Sequence, residues 1–422
     1  MCGIAGYWSR DQLSKNCIRE MTESLVTRGP DNEGVWIEEE SGVAFGHRRL
    51  AVIELSEAGN QPMISSCDRY VITYNGEIYN HLALRNELSR QFGVIKWRGQ
   101  PDTETLLMGI TLLGVKKCLS RLNGMFAFAL WDRREKKIIL ARDRMGEKPL
   151  YYSVTSIGGK RSFIFGSEIK ALRCYPGFDN DISREAVDNY LRLLYIPSPL
   201  SIYKNTFKLP PGCFLEVTDL KIIPQPEKWW ELNDIIKNVS VPPRANEAYL
   251  IERLGETISS SVRKQLLSDV PVGAFLSGGI DSSLITAYMQ MHSNKSVSTF
   301  SIGFEKEEFN EAQHAREVAK YLGTNHHELT VTSEQAKEII PLLPSVYDEP
   351  FADSSQIPSL LLSRFTQDKV TVALSGDGGD ELFGGYNRHF LGNKIWKIMS
   401  ALPYHLRQVL IFLVLSTPIG FW

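Results

Sequence analysis

Helix-like and strand-like runs alternate from Ala245 to Leu374, and this alternation is the tightest constraint on how the chain folds. The periodicity predicts helices over Tyr249–Leu267, Leu284–Met291, Glu311–Leu322, Ser333–Val346 and Ile357–Phe365, and strands over Val272–Leu276, Ser298–Phe304, His326–Val331 and Val370–Leu374. Strands that alternate with helices build an α/β doubly wound parallel sheet, which places ligands at the carboxyl ends of its strands. The run Ser277-Gly278-Gly279-Ile280-Asp281-Ser282-Ser283 lies at such an end, between the first of these strands and the next helix. Glycines there let backbone N–H groups approach an anion, two hydroxyls add donors, and the helix contributes its unpaired N–H groups and dipole. Asp281 would repel a phosphate unless a cation bridged them, and Mg²⁺, which takes carboxylate and phosphate oxygens together, is the implied cofactor. A Walker A element, GxxxxGK followed by Ser or Thr, is missing here, which argues against an ordinary γ-phosphate-transferring loop.

Residues 1–195 have a different texture. Short β-rich runs at Val43–His47, Tyr70–Tyr74, Met125–Trp131, Lys137–Arg142, Leu150–Ser153 and Phe163–Gly166 are interrupted by helical patterns at Asn80–Gln91 and Thr103–Leu113, with Asp102 at the N-cap position. That mixture predicts an α+β layered sandwich. Eight of the chain's 20 prolines fall between Ile196 and Arg244, the composition of a linker with edge strands. Three regions result: 1–195, a proline-rich 196–244, and 245–422.

Formal net charge is −2 with no long block of one sign, so neither nucleic acid nor an anionic membrane is indicated as a partner. The six cysteines are scattered without C-x-x-C or Cys/His clusters, which argues against zinc and a disulfide framework and fits a reducing cytoplasm. The N-terminus has no basic and apolar signal pattern, and the final apolar run, Val409–Trp422, is shorter than a bilayer span and contains Pro418.

Cys2 follows the initiator Met. Removal of that Met would put a thiol and an α-amine on one residue, and an amine of reference pKa about 7.7–8.0 can take the thiol proton directly or through a water. Polar groups gather at the predicted strand ends: Arg28-Gly29-Pro30-Asp31, His47-Arg48-Arg49-Leu50, Asn75-Gly76-Glu77-Ile78-Tyr79-Asn80 and Pro101-Asp102-Thr103-Glu104. Arg49 suits a carboxylate, Asp102 an ammonium, and the Asn75 amide with the Gly76 N–H an oxyanion. An amino acid with a hydrolysable side-chain amide has all three features.

MCGIAG, RGPD, HRRLAVIELS, NGEIYN, ARDRMGEKPLYY and FGSEIKAL together resemble the class II glutamine amidotransferase domain of the glutamine-hydrolysing asparagine synthetase family. The resemblance implies an Ntn-type fold for the first region, with Cys2 attacking the glutamine carboxamide, Asn75 and Gly76 stabilising the oxyanion, and Arg49, Asn75, Glu77 and Asp102 binding glutamine. The SGGxDS loop resembles that of ATP pyrophosphatases, which make acyl-adenylates, and implies an adenine nucleotide alpha hydrolase-like fold for the second region. Carried over from that family, ATP would contact Phe275, Leu276, Ser277, Gly278, Gly279, Asp281, Ser282, Ser283, Ile302, Ser375 and Gly376. Mg²⁺ would lie between Asp281 and Asp380.

Asp377 stands where several asparagine synthetases have Glu, and its shorter side chain bears on the acyl-adenylate and so on acceptor identity. The segment Asp348–Ser355 also resembles family sequence and is a candidate acceptor-site lining. The resemblance implies a second domain that continues past Trp422. The expected activity is transfer of glutamine-derived ammonia to an acyl-AMP of aspartate, giving asparagine, glutamate, AMP and pyrophosphate. The alternatives are another carboxylate, such as a sugar uronate, or a glutaminase or binding role alone. The implied partners are glutamine, ATP and the acceptor carboxylate, with a homodimer as candidate assembly.

Overall fold

The computed structural model describes residues 1–10, 15–222, 225–238, 246–305 and 312–416. Pro224, Pro242 and Pro243, the first residue of the helix predicted from Glu311, and the tail beyond Ser416 lie outside the described residues. Contacts divide the chain into two compact units, one formed by residues 1–272, 304–307 and 329–372, the other by residues 273–303, 308–328 and 373–422.

In the first unit the strands are β1 (Gly3–Ser9), β2 (Asn32–Glu38), β3 (Val43–Arg49), β4 (Met63–Ile64), β5 (Tyr70–Ile78), β6 (Gly124–Asp132), β7 (Lys137–Arg142), β8 (Tyr151–Ile157), β9 (Lys160–Gly166), β10 (Thr206–Lys208), β11 (Cys213–Val217) and β12 (Glu227–Lys228). They form two six-stranded sheets, ordered β10-β8-β9-β1-β3-β2 and β12-β11-β7-β6-β5-β4. Neighbours pair antiparallel, as in the β5–β6 register from Tyr70↔Asp132 to Ile78↔Gly124.

The period-two alternation of strand side chains explains the layering. On β6, Ala127, Ala129 and Trp131 enter the core between the sheets, while Phe126, Phe128 and Leu130 pack outward under helices His81–Phe92, Asp102–Leu113 and Val115–Arg121. The other sheet does the same: Ile4, Val43 and Phe45 face inward, and Ala5, Tyr7 and Ala44 face helices Lys15–Glu23, Ile169–Arg173 and Arg184–Leu193. The result is an α/β/β/α sandwich whose central strands, such as β3 and β6, are buried on both faces while the edge strands β2 and β12 are more exposed. Trp131 has no exposed surface, and burial of a large apolar side chain is worth about 1.5–3 kcal/mol relative to exposure.

Asp102 does not cap its helix. Pro101 occupies the cap position and Asp102 is the first helical residue, its carboxylate turned instead to Tyr74 and Ile78. The run Ser333–Val346 is broken into Ser333–Ile339, a 3₁₀ turn at Ile340–Leu342 and Leu343–Val346, because Pro341 and Pro344 cannot donate to a continuous helix.

The second sheet system contains β13 (Val272–Phe275), β14 (Ser298–Phe304), β15 (Asn325–Val331) and β16 (Val372–Leu374), in the order β15-β14-β13-β16. β13 and β14 run parallel, with Ala274 opposite Thr299 and Phe275 opposite Phe300. The chain steps from β13 through β14 to β15 on one side and then returns to the other side with β16. The reversal falls between β13 and β16, the switch point at which such sheets open a crevice. Among the described residues no helix is long and apolar enough to cross a membrane.

Two buried histidines make the first unit's stability pH-dependent. His47, on β3, touches the carbonyl of Tyr74 through Nε2 at 3.1 Å, and burial holds its pKa down to about 3. His81 is pulled to about 4, by burial first and then by the Arg85 charge. A histidine kept neutral in the fold but protonated in the unfolded chain below about pH 6.5 removes stability as pH falls, by about 1.4 kcal/mol per pH unit. Glu77 and Asp102 act in the opposite sense, because their folded pKa values are raised. His47→Asn is therefore expected to lower the slope of unfolding free energy against pH, between pH 6.5 and 4, by about that amount relative to the parent. Identical slopes in urea titrations of the two proteins would contradict this assignment.

Two candidate active sites

Cys2 precedes the first strand, and β1 pairs with β3 from Gly3↔Arg48 onward, which brings the thiol against the end of β3. Its Sγ lies 3.4 Å from Leu50 N and 3.6 Å from Leu50 O. Arg28 Nε donates to the Cys2 carbonyl at 2.9 Å. Burial pushes the thiol pKa up, and the charges of Glu77 and Asp102 push the same way, while the Leu50 backbone contact and the terminal amine oppose them. The amine at this end of the chain, that of Met1, is pulled down to about 6, chiefly by burial. An amine so lowered is a free base at neutral pH.

Asn75 and Gly76 sit on β5, opposite Ala127 and Phe126. The Asn75 side chain is buried, and among the described residues its Nδ2 has no hydrogen-bond partner. A buried amide N–H left without a partner costs free energy, so this atom is a donor awaiting an acceptor. A side chain at Gly76 would run into the Met125 carbonyl and Phe126, so only glycine keeps the backbone there. Asp102 accepts from Tyr74 Oη at 2.6 Å and Ile78 N at 2.8 Å. Its pKa is raised by burial, and that of Glu77 is raised by burial and then by Asp102, with Lys148 opposing. These two acids repel each other in a desolvated site, a repulsion that a bound ammonium would relieve.

Arg49 is buried at the end of β3. Its Nη1 donates to Ser56 O and Asn60 Oδ1, both at 2.9 Å, and its Nη2 donates to Glu54 O. Three of its five N–H groups thus hold residues 54–60 in place, leaving two for a ligand.

In the second unit, β13 leads through residues 276–279 into the helix Ile280–His292, whose first turn carries Asp281. Gly278 has φ +83° and a Cβ there would come within 2.6 Å of Ala315 N, so the turn requires glycine. Ser277 Oγ lies 3.0 Å from Ser282 Oγ, which also receives Ser277 N at 3.2 Å. Ser283 Oγ, at the helix start, is buried without a partner among the described residues. The loop after β16 comes up against this one: a Cβ on Gly376 would lie 2.7 Å from Ser282 N, and one on Gly379 2.5 Å from Asp281 Oδ2. The sequence-predicted loops are therefore in contact, and Asp380 directly follows the glycine that abuts Asp281.

Ser375 Oγ donates to Asp377 Oδ2 at 3.0 Å, holding that exposed carboxylate over its own turn. Leu276 is buried against Ala315 and Ala319, Phe275 and Ile302 are half-buried, and Leu276 N donates to Phe300 O at 2.8 Å. Among the described residues no group of three or more His, Cys, Asp or Glu side chains converges. Two carboxylates beside an anion-binding loop suit a cation that draws its remaining ligands from phosphate and water, as Mg²⁺ does.

Motif reading missed several participants. Leu50 contributes only backbone, Tyr74 acts through its hydroxyl, and Arg28 lies in a recognised polar group whose partner is remote in sequence. Asp348 and Glu349 are engaged within the first unit: Lys170 N donates to Asp348 Oδ2 at 2.9 Å, and Lys208 Nζ pairs with Glu349 Oε2 at 2.7 Å.

A four-layer sandwich with a cysteine at the head of its first strand, followed in the same chain by a paired-loop α/β unit, defines a glutamine amidotransferase. A glutamine amidotransferase domain model matches residues 1–230, and an asparagine synthase model matches residues 253–417. The chain is 38% identical to putative asparagine synthetase [glutamine-hydrolyzing] 2 of Methanocaldococcus jannaschii, across 97% of this chain and 80% of that protein. It is 34% identical to asparagine synthetase [glutamine-hydrolyzing] 1 of Bacillus subtilis, across 100% and 64%, and 35% identical to a putative asparagine synthetase of Mycobacterium bovis, across 91% and 58%. The chain belongs to the glutamine-hydrolysing asparagine synthetase family, and spans between 58% and 80% of the length of these relatives.

Proposed function

We propose that the protein makes asparagine by using glutamine as the nitrogen source and ATP to activate aspartate. The observation that carries the reading is the buried Asn75 Nδ2, without a partner among the described residues, on the strand that also carries Glu77, whose charge acts on Cys2 together with that of Asp102. Removal of Met1 leaves the α-amine on Cys2, and this amine takes the thiol proton. The thiolate attacks the side-chain amide carbon of glutamine. Asn75 Nδ2–H and the Gly76 N–H receive the oxyanion, the amine returns its proton to the leaving nitrogen, and ammonia departs. Water then hydrolyses the thioester to glutamate. The two uncommitted donors of Arg49 hold the substrate carboxylate, and Glu77 and Asp102 hold its ammonium.

In the second unit, Ser277, Gly278, Gly279, Ser282 and Ser283 cradle the pyrophosphate of ATP, the orphaned Ser283 hydroxyl supplying one donor. Phe275, Leu276, Ile302, Ser375 and Gly376 border the adenine, and Asp377 faces the acyl-adenylate. Asp281 and Asp380 would hold Mg²⁺, which when bound neutralises charge on the leaving pyrophosphate.

Incubation with glutamine, aspartate and ATP is expected to yield asparagine, glutamate, AMP and pyrophosphate in equal amounts. ADP in place of AMP, or no ATP–pyrophosphate exchange with aspartate, would sink this reading. Asn75→Ala should lower glutaminase kcat by about 10²–10³ with little change in KM, because the donor acts only on the oxyanion. A rise in KM alone would reassign Asn75 to ground-state binding.

A further inference from the structure

The first unit contains a run of ion pairs that the proposed chemistry does not use. It starts at the nucleophile. Arg28 Nε holds the Cys2 carbonyl at 2.9 Å, and Arg28 Nη1 pairs with Glu168 Oε1 at 2.7 Å. Glu168 Oε2 lies 3.0 Å from Lys170 Nζ, an ion pair by distance without hydrogen-bond geometry. Lys170 Nζ also donates to Ser345 O at 3.0 Å and lies 3.5 Å from Asp348 Oδ1, and Lys170 N donates to Asp348 Oδ2 at 2.9 Å. The four side chains are between 10% and 23% exposed, so water screens these pairs poorly.

A second clamp holds the same segment without using Arg28, Glu168 or Lys170. Glu349 receives Lys208 Nζ at 2.7 Å, Tyr151 Oη at 3.2 Å and Ile202 N at 2.7 Å. The segment is thus fixed twice, and the fixing through Lys170 continues to the Cys2 carbonyl.

We propose that Lys170 and Asp348 are positioning residues for Cys2, acting through Glu168 and Arg28 on the Cys2 carbonyl. Arg28 has one nitrogen on the Cys2 backbone and another on Glu168, so its orientation depends on where Glu168 is held. Glu168 is shared between Arg28 and Lys170, and Lys170 is in turn fixed by the Ser345 carbonyl and Asp348. From this segment the chain runs through one helix, Gln356–Thr366, to β16 and the Ser375 loop. The stretch of chain that precedes β16 therefore has a hold on the Cys2 carbonyl.

The readout rests on the glutaminase part of the proposed function only, without ATP or aspartate. Lys170→Met and Asp348→Asn should each lower glutaminase kcat by about tenfold, with KM for glutamine held within about twofold, because a misplaced nucleophile slows attack without loosening substrate. Lys170→Arg should restore most of the rate. Lys208→Met, which releases the second clamp, should leave both constants near the parent values. Unchanged kcat in Lys170→Met, an equal loss in Lys208→Met, or a rise in KM alone would each overturn the relay. If the parent protein does not hydrolyse glutamine, the functional reading fails and the relay is judged separately by peptide-resolved alkylation of Cys2 with iodoacetamide. A rate altered at least about threefold in Lys170→Met but not in Lys208→Met upholds it, and equal rates overturn it.

Discussion

Cys2→Ala is expected to abolish glutamine-dependent asparagine formation while ammonia-dependent formation continues. The thiol is the nucleophile of the proposed glutaminase, and loss of a nucleophile of this kind costs on the order of 10⁶-fold in rate. The substitution is mild for the fold: Sγ makes only the long contacts with Leu50 N and O at 3.4 and 3.6 Å, and the Arg28 hydrogen bond goes to the backbone carbonyl, which alanine keeps. The second site depends on a separate unit, so free ammonia supplied at high concentration replaces the missing glutaminase. Rates with glutamine and with ammonium chloride, measured side by side on parent and variant, decide the matter. Loss of both would mean that the two chemistries are not divided between Cys2 and the Ser277 loop.

The converse variant is Asp281→Asn, expected to remove ATP–pyrophosphate exchange while glutamine hydrolysis persists. Asn has the same shape, so the close approach to Gly379, where a Cβ would meet Asp281 Oδ2 at 2.5 Å, is not disturbed. What goes is the charge. A phosphate-bound Mg²⁺ that relies on carboxylates at Asp281 and Asp380 loses one of its two anionic protein ligands, and adenylation should fall by at least about 10³-fold. Exchange at the parental rate in this variant would remove Asp281 from the metal site and leave it as a helix-start residue. Residual glutaminase in the same preparation shows that the chain has folded.

Much of this was legible in the amino-acid order. The strand-loop-helix layout around Ser277, the absence of a Walker lysine, and the alternation up to Leu374 were enough to anticipate a sheet with paired loops, because period and glycine placement are local properties. β6 was equally legible, its unbroken apolar run reflecting burial on both faces. Two of the helices packed on it were found with boundaries shifted by a residue, and the third, Val115–Arg121, was not anticipated. Asp102 shows where local reading stops. Its position before an apolar helical run has the form of an N-cap, yet its carboxylate goes to Tyr74 and Ile78, a partnership set by sheet-to-helix packing. Asp348 and Glu349 are a similar case, since an acidic pair in a loop carries no mark of the lysines that will meet it.

By itself the sequence determined the chemical inventory: a thiol at position two, an amide and glycine on one strand, and two Gly/Asp loops at strand ends. Those assignments depend on residue type and short-range spacing, which the covalent chain fixes. Only the tertiary structure decided the pairings. That Asn75 Nδ2 is left without a partner among the described residues, that Gly379 abuts Asp281, and that Arg28 joins Cys2 to Glu168 follow from contacts between residues far apart in the chain. Such contacts are chosen by which faces pack and which charges must be satisfied once water is excluded, and that is settled only when the whole core has closed.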